Sequence, residues 1–356
     1  MPKFWILKRL LWIIPTLLII SLVGFYFETV WPTHPVQRKV DLALYQGGSN
    51  LNPDELYERF EKELGYDKPS FYISLQKADK NTGFPKPQFH GWNNRFHAWL
   101  FGSRSQKGLF QGNLGFSYLD GRAVSDLIQE KWKKSALLSA SAILLSFLLT
   151  YLISKPLFFA KGVMNRISNG LLYLSYASPV FIIGLGLLYV FANKSVLYWF
   201  PSGGWGEIGN TSLASTLPYF VLPCLSLSLG NLAFLIHVHQ AKLEEEWTKP
   251  YVKTALAKGQ SKSRVFRNQV LKNSVFPLIT ALGQSIPALV GGSVIIETLF
   301  SIPGLGSLAF QSVVNGDFPV INSLFLITAL LTTVGFLISD VLYQWFDPRL
   351  KRMDHG

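Results

Sequence analysis

Few residues in this 356-residue chain have side chains at spacings that could do chemistry. Lys258-Gly259-Gln260-Ser261-Lys262-Ser263 gathers glycine, lysine and hydroxyls as a phosphate cradle does, but the cradle needs G-x-x-x-x-G-K-[ST] and this spacing does not supply it. No ATP chemistry is expected on this chain, so any energy must come from a partner. His237 and His239 are the paired metal-ligand candidates. Two residues apart on a helix they point to different faces and are ill placed to hold one ion, so they are expected at a helix end facing lipid headgroups. Glu297 and Asp340 are ionisable groups within apolar runs, where a transporter would place a substrate or coupling-ion site. Both lie towards the ends of their runs, which leaves the middle nearly free of charge. Glu297 is expected to hydrogen-bond the turn at 303–306. Cys224, the single cysteine, lies in another apolar run, which excludes a disulfide framework and a cysteine metal cluster. Neither an enzyme nor a bound cofactor or metal is expected.

The elements that carry these residues are set by the solvent. Low-charge runs recur at 10–27, 135–154, 171–192, 217–238, 277–300 and 321–346. A helix needs roughly 18 or more apolar residues to cross a bilayer, so six spans are expected. Lys3, Lys8 and Arg9 precede the first run as in a signal peptide, but Glu28, Thr29, Val30 and Trp31 offer no small-residue cleavage site, so a retained helix is expected. Basic residues collect in short cytoplasmic loops. Lys155, Lys161 and Arg166, then Lys242 to Lys272, then Arg349, Lys351 and Arg352, join the N-terminal cluster on one side. Both termini are thus expected in the cytoplasm. The net charge of +12 is explained by these helix ends, which attract anionic lipid, and no nucleic-acid recognition fold accompanies it. The expected organisation is an N-terminal membrane helix at 1–30, an extracytoplasmic cap at 31–134, and a membrane domain at 135–350 that contains a cytoplasmic loop at 239–276.

Within the cap, Asn52 can start a helix with Pro53 in its first turn, and Leu56, Phe60 and Leu64 give it an apolar stripe ending near Gly65. Phe84, Phe89, Trp92, Phe96, Trp99, Phe101 and Phe110 follow. So many rings argue against disorder; they suit either a docking surface or the core of a small folded unit, and the core is expected.

The basic segment at 244–280 is the most informative. Tyr251, Val252, Ala255 and Leu256 form an apolar stripe on a short helix whose other face carries Lys253 and Lys258. Gly259 permits a left-handed stop, Ser261 can cap the next helix, and Val265, Leu271 and Phe276 lead into the following span. Such an element could fit a groove in a soluble partner and transmit a push, or it could rest on lipid.

Tyr251-Val252-Lys253-Thr254-Ala255-Leu256-Ala257-Lys258-Gly259, with Leu271-Lys272-Asn273 and Pro277 beyond, resembles the cytoplasmic loop of ABC-importer permeases of the dipeptide, oligopeptide and nickel family. Further segments resemble the same family in the same order: Lys8-Arg9-Leu10, 63–69, Gly112-Asn113-Leu114-Gly115-Phe116-Ser117, 297–306, Asp317-Phe318-Pro319-Val320 and Asp347-Pro348-Arg349. The resemblance implies an all-α integral membrane protein of the type I importer permease fold, with an extracytoplasmic insertion after the first helix. It implies a second homologous permease, two ABC ATPase subunits that hydrolyse ATP, an extracytoplasmic substrate-binding protein, and residence in a bacterial inner membrane. Part of the cap's surface is then expected to touch the binding protein or the partner permease. By this likeness Tyr251, Thr254, Ala255, Ala257, Lys258 and Gly259 are the ATPase-coupling residues. Glu297, Pro303, Gly304, Gly306, Asp317 and Pro319 are structural or pathway candidates. The chain departs from the family at Leu256 and Lys272, where arginine is usual, at Gln269, often histidine, and in a longer stretch at 77–109. A stand-alone secondary transporter or channel is the alternative, and the scarcity of midplane charge speaks against it.

Overall fold

A computed structural model describes residues 3–31, 34–47, 52–75, 86–102, 107–206, 213–285 and 293–346, and all that follows concerns these. In chain order they form α1 (Lys3–Val30), α2 (Pro35–Gly47), α3 (Pro53–Leu64), β1 (Ile73–Leu75), β2 (Pro87–Phe89), α4 (Arg95–Phe101), α5 (Val124–Phe159), α6 (Gly162–Ala177), α7 (Val180–Phe191) and α8 (Leu213–Trp247). Then come α9 (Pro250–Ala257), α10 (Lys262–Val265), a π-helical turn (Phe266–Val270), α11 (Leu271–Asn273), α12 (Phe276–Gln284), α13 (Val294–Leu299), α14 (Leu305–Asn315) and α15 (Phe318–Phe346).

Four helices are long and apolar enough to cross a membrane, at Leu11–Val30, Val124–Phe159, Ala214–Trp247 and Phe318–Ile338. They answer to the first, second, fourth and sixth runs. The third run is not one straight helix: α6 and α7 meet at 109°. Pro179 has no N–H to continue α6, and Ser178 before it is extended at ψ 123°, as proline demands of its predecessor. At 1.5 Å per residue α6 spans about 24 Å and α7 about 18 Å, so neither covers a 30 Å core alone. Taken together they are apolar enough for a fifth, broken span or for a re-entrant loop. The fifth run is shared by α12 and α13, and residues 286–292 between them lie outside the described set.

The chain divides into two compact units. The first comprises Met1–Lys8, Lys131–Ser307 and Leu331–Gly356. Its core joins Leu138 and Ala142 of α5 with Leu222 and Cys224 of α8 and Ile296, Phe300 and Ile302 around α13. Apolar contact is no driving force between helices in lipid, so close approach and hydrogen bonds do the joining. Ser146 Oγ reaches Ser228 O at 3.1 Å, and Ser228 Oγ reaches Ala142 O at 3.1 Å. Gly184 lets α7 lie against α13, for a Cβ there would fall 2.9 Å from Leu299 Cδ2, whereas Gly186 faces open space.

The second unit comprises Arg9–Glu130 and Leu308–Leu330. Asn52 accepts from Asp54 N at 3.1 Å to start α3, and Gly65, left-handed at φ 74°, ends it as the sequence predicts. β1 and β2 form an antiparallel ribbon with Ile73 opposite Phe89. Phe25 of α1 packs with Phe96 and Leu100 of α4, with Phe71 and Trp99 around them. Above this core Glu28 is buried and paired with Arg95 and Tyr66. Burial alone would lower the Arg95 guanidinium, and the Glu28 carboxylate more than reverses it, holding the cation above its ordinary range. Burial, with Tyr118 and Glu28 as neighbours, pushes the Tyr66 phenol upward. The cap aromatics are therefore divided: Phe96 and Trp99 are core, but Phe89, Trp92, Phe101 and Phe110 are exposed, against the expectation that they would be buried. Phe84 lies outside the described residues.

Candidate functional site

Lys249, extended at ψ 150°, and Pro250 at the first helical position turn the chain sharply out of α8 into α9. Val252 and Ala255 point inward onto Leu243, Val265, Phe266, Val270 and Leu271. α9 ends in a Schellman motif: Gln260 N donates to Ala255 O at 3.2 Å and Gly259 N to Leu256 O at 3.0 Å, with Gly259 at φ 81°. Ser261 occupies the start of α10, where its backbone carbonyl receives Arg264 N and Val265 N, but its hydroxyl makes no capping bond. A π-helical turn follows, closed by Leu271 N donating to Phe266 O.

This element is fixed to two long helices. Phe158 of α5 lies 5.6 Å from Trp247 of α8 and 5.2 Å from Phe266, ring centre to ring centre. Glu246 takes the Tyr251 hydroxyl at 2.6 Å and pairs with Lys249, and that hydrogen bond holds the Lys249 ammonium above its ordinary range. Burial and then Glu246 push the Tyr251 phenol up. Beneath lies His239, which the sequence reading places among headgroups. Instead it is fully buried, with Nδ1 2.8 Å from Ser154 Oγ of α5 and Nε2 2.9 Å from Ser274 Oγ after α11. A neutral imidazole can donate at one nitrogen and accept at the other, so one ring ties three segments. His237 turns the other way and stacks on Tyr173 at 5.2 Å.

The six coupling candidates thus separate. Thr254, Ala257, Lys258 and Gly259 are exposed on one face, beside Lys253. Tyr251 is half-buried and held by Glu246, and Ala255 is buried, where it secures the helix and cannot meet a partner.

The second group, around Glu297, is a closed turn. Glu297 is fully buried and accepts from Ser135 Oγ at 2.7 Å and Ser307 N at 3.1 Å. Ser135 Oγ in turn accepts Leu305 N at 2.7 Å, and Ile302 N donates to Glu297 O at 2.7 Å. Gly304 is needed because a Cβ would strike the Glu297 carboxylate and Ser135 Oγ; at Gly306 it would lie 2.8 Å from Val294 Cα. Pro303 sits in the same turn. The carboxylate hydrogen-bonds the turn, as the sequence predicts.

Asp317 belongs to the second unit. It is buried, accepts Ser117 Oγ at 2.5 Å and Tyr118 N at 2.9 Å, and so brings together the segments at 112–117 and 317–320. Burial raises its carboxyl above the usual range, opposed by those hydrogen bonds. Pro319 follows at the start of α15, close against Gly115. Asp347-Pro348-Arg349 lies outside the described residues. Sequence reasoning missed Ser135, Ser117, Ser154 and Ser274; hydroxyls within or beside apolar runs are the signal that could have flagged them.

A family model described as binding-protein-dependent transport system inner membrane component matches residues 136–352. The oligopeptide transport system permease protein AppB of Bacillus subtilis is 30% identical over 98% of this chain and 99% of its own. The peptidoglycan transport system permease protein YejB of Agrobacterium fabrum is 31% identical, covering 97% of each. The dipeptide transport system permease protein DppB of Lactococcus lactis is 29% identical over 98% of this chain and 99% of its own.

Proposed function

From the premise that this chain belongs to the inner membrane components of binding-protein-dependent transport systems, as a multi-pass permease subunit of an ABC importer, we propose that it forms half of a pathway for peptides and docks an ATPase through α9. The observation that carries the docking role is the division of α9. One face is locked to α5 and α8 by Val252, Ala255 and the ring cluster, and the opposite face presents Thr254, Ala257, Lys258 and Gly259 to solvent. A load applied to the exposed face is passed to both long helices without melting the element.

The remaining parts follow from that reading. A second permease completes the pathway, two ATPases bind on the cytoplasmic side with both termini of this chain, and a binding protein delivers cargo to the cap. ATP is hydrolysed by the partners; this chain binds no cofactor and catalyses no reaction. The burial of Glu297 in a turn supports a conduit whose selectivity lies elsewhere, and speaks against an ion-coupled carrier.

The test is uptake of labelled di- and oligopeptides into proteoliposomes holding the assembled complex. Uptake should need ATP and the binding protein together; uptake by this chain alone, driven by an ion gradient, would overturn the reading. Orientation is checked with cysteines at Glu58 and Lys253, which should label from opposite sides of the membrane.

A further inference from the structure

The exposed rings of the cap are not scattered. Trp92 stands 4.9 Å from His97, His97 4.9 Å from Phe101, and Phe101 5.3 Å from Phe110, ring centre to ring centre. Trp92 is 77% exposed, Phe101 48% and Phe110 62%. They form one aromatic strip along the flank of α4. It is rigidly built: Gln111 Nε2 donates to Phe101 O at 3.1 Å, and Gly108 is buried so close to the end of α4 that a Cβ would lie 2.7 Å from Leu100 O. Large apolar rings held outward at fixed spacing mark an interaction surface.

The occupant is indicated by depth. Arg95, at the start of α4, meets Glu28 and the Phe25 ring, and Phe96 and Trp99 meet Phe25 as well. α4 therefore lies against the last two turns of α1. Phe25 lies five residues before the end of the apolar helix Leu11–Val30, about 7.5 Å inside it at 1.5 Å per residue. The 20 residues of that helix rise about 30 Å, the thickness of the hydrocarbon core, so Val30 stands at the boundary with the headgroups and α4, beside Glu28 and Phe25, lies at that boundary. On α1 itself Leu22, Val23, Tyr26 and Phe27 are exposed at the same level. Lys107, exposed, lies between Phe101 and Phe110 in the chain.

We propose that Trp92, Phe101 and Phe110 are a membrane-interface anchor, seated in the headgroup layer at the C-terminal end of α1. By the charge pattern this is the outer leaflet. Rings with an apolar body are favoured at this level, and a rigid strip is pre-organised for it.

The test uses the full chain in lipid nanodiscs with Cys224→Ser and a single cysteine at Trp92 or Phe110, labelled with an environment-sensitive dye. Two sites guard against one poorly folding variant, and a cysteine at Glu58 on α3 is the aqueous control. At 92 and 110 the emission should shift to shorter wavelength and be quenched by a nitroxide near the lipid headgroup more than by a water-soluble nickel chelate. At 58 the order should reverse. Free access of the nickel chelate at 92 and 110, without lipid quenching, overturns the proposal. So does protection that arises only when the binding protein or second permease is added, because the strip is then a protein-docking surface.

Discussion

Gly259 offers the sharpest test of α9 as a docking element, because backbone geometry and surface can be perturbed separately. Its φ of 81° is left-handed, it is exposed, and a Cβ there would meet nothing within 4 Å. The cost of replacing it within this chain is therefore conformational only. For alanine that is about 1–2 kcal/mol, roughly five- to thirtyfold in the local equilibrium that forms the Schellman turn. Asparagine visits this region more readily and costs less. Glutamate costs about as much as alanine, yet also puts a bulky carboxylate on a face that carries Lys253 and Lys258. The assay is ATP hydrolysis by the complete complex, stimulated by loaded binding protein, with insertion and assembly verified for each variant. Gly259→Asn should stay near wild type, Gly259→Ala should fall modestly, and Gly259→Glu should lose stimulation while still assembling. If Glu and Ala fall equally, only the turn matters and the docking argument is refuted; if Glu retains full stimulation, this face meets no ATPase.

Three further outcomes follow from buried polar groups. Glu297→Ala strands Ser307 N–H and the Ser135 hydroxyl, at about 1–3 kcal/mol for each buried group left unsatisfied, so thermal melting should drop sharply, and less so in Glu297→Gln. Arg95→Met leaves Glu28 buried without its cation at a cost of about 3–5 kcal/mol, and adding Glu28→Gln should recover much of the lost melting temperature. His239→Ala unties Ser154 from Ser274 at about 1–3 kcal/mol, and peptide taken up per ATP hydrolysed should fall further than assembly does.

The parts legible in the sequence were those decided within a few residues. Asn52, Pro53 and Gly65 mark the ends of α3 by local backbone rules, and Tyr251, Val252, Ala255 and Leu256 betray the buried face of α9 by spacing alone. What was hidden depended on distant partners. Ser135 lies 162 residues from Glu297, and Ser117 lies 200 from Asp317, so no window along the chain joins them. His239 was misplaced because hydropathy fades at 238, whereas α8 continues to Trp247 and α9 to α11 fold over it. The bend at Pro179 was not read, because the third run counted as one span, and the close approach of Gly184 to α13 is likewise something spacing cannot foretell. The cap rings were divided by which side of α4 faces Phe25, a matter of tertiary placement.

The π-helical turn at Phe266–Val270 has a consequence for how this region can vary. Its bonds run from residue i to i+5, so the turn holds one residue more than an α-helix would. In an α-helix each residue advances the rotation by about 100°, so that surplus sets the phase of all that follows, including Leu271 in the core and Ser274 opposite His239. Exchanging the exposed Arg267 or Asn268 leaves the phase alone. Deleting either would restore the regular repeat and swing Ser274 away from the imidazole. The length of this stretch is therefore under tighter constraint than its composition, and gaps should be excluded from it even where substitutions accumulate.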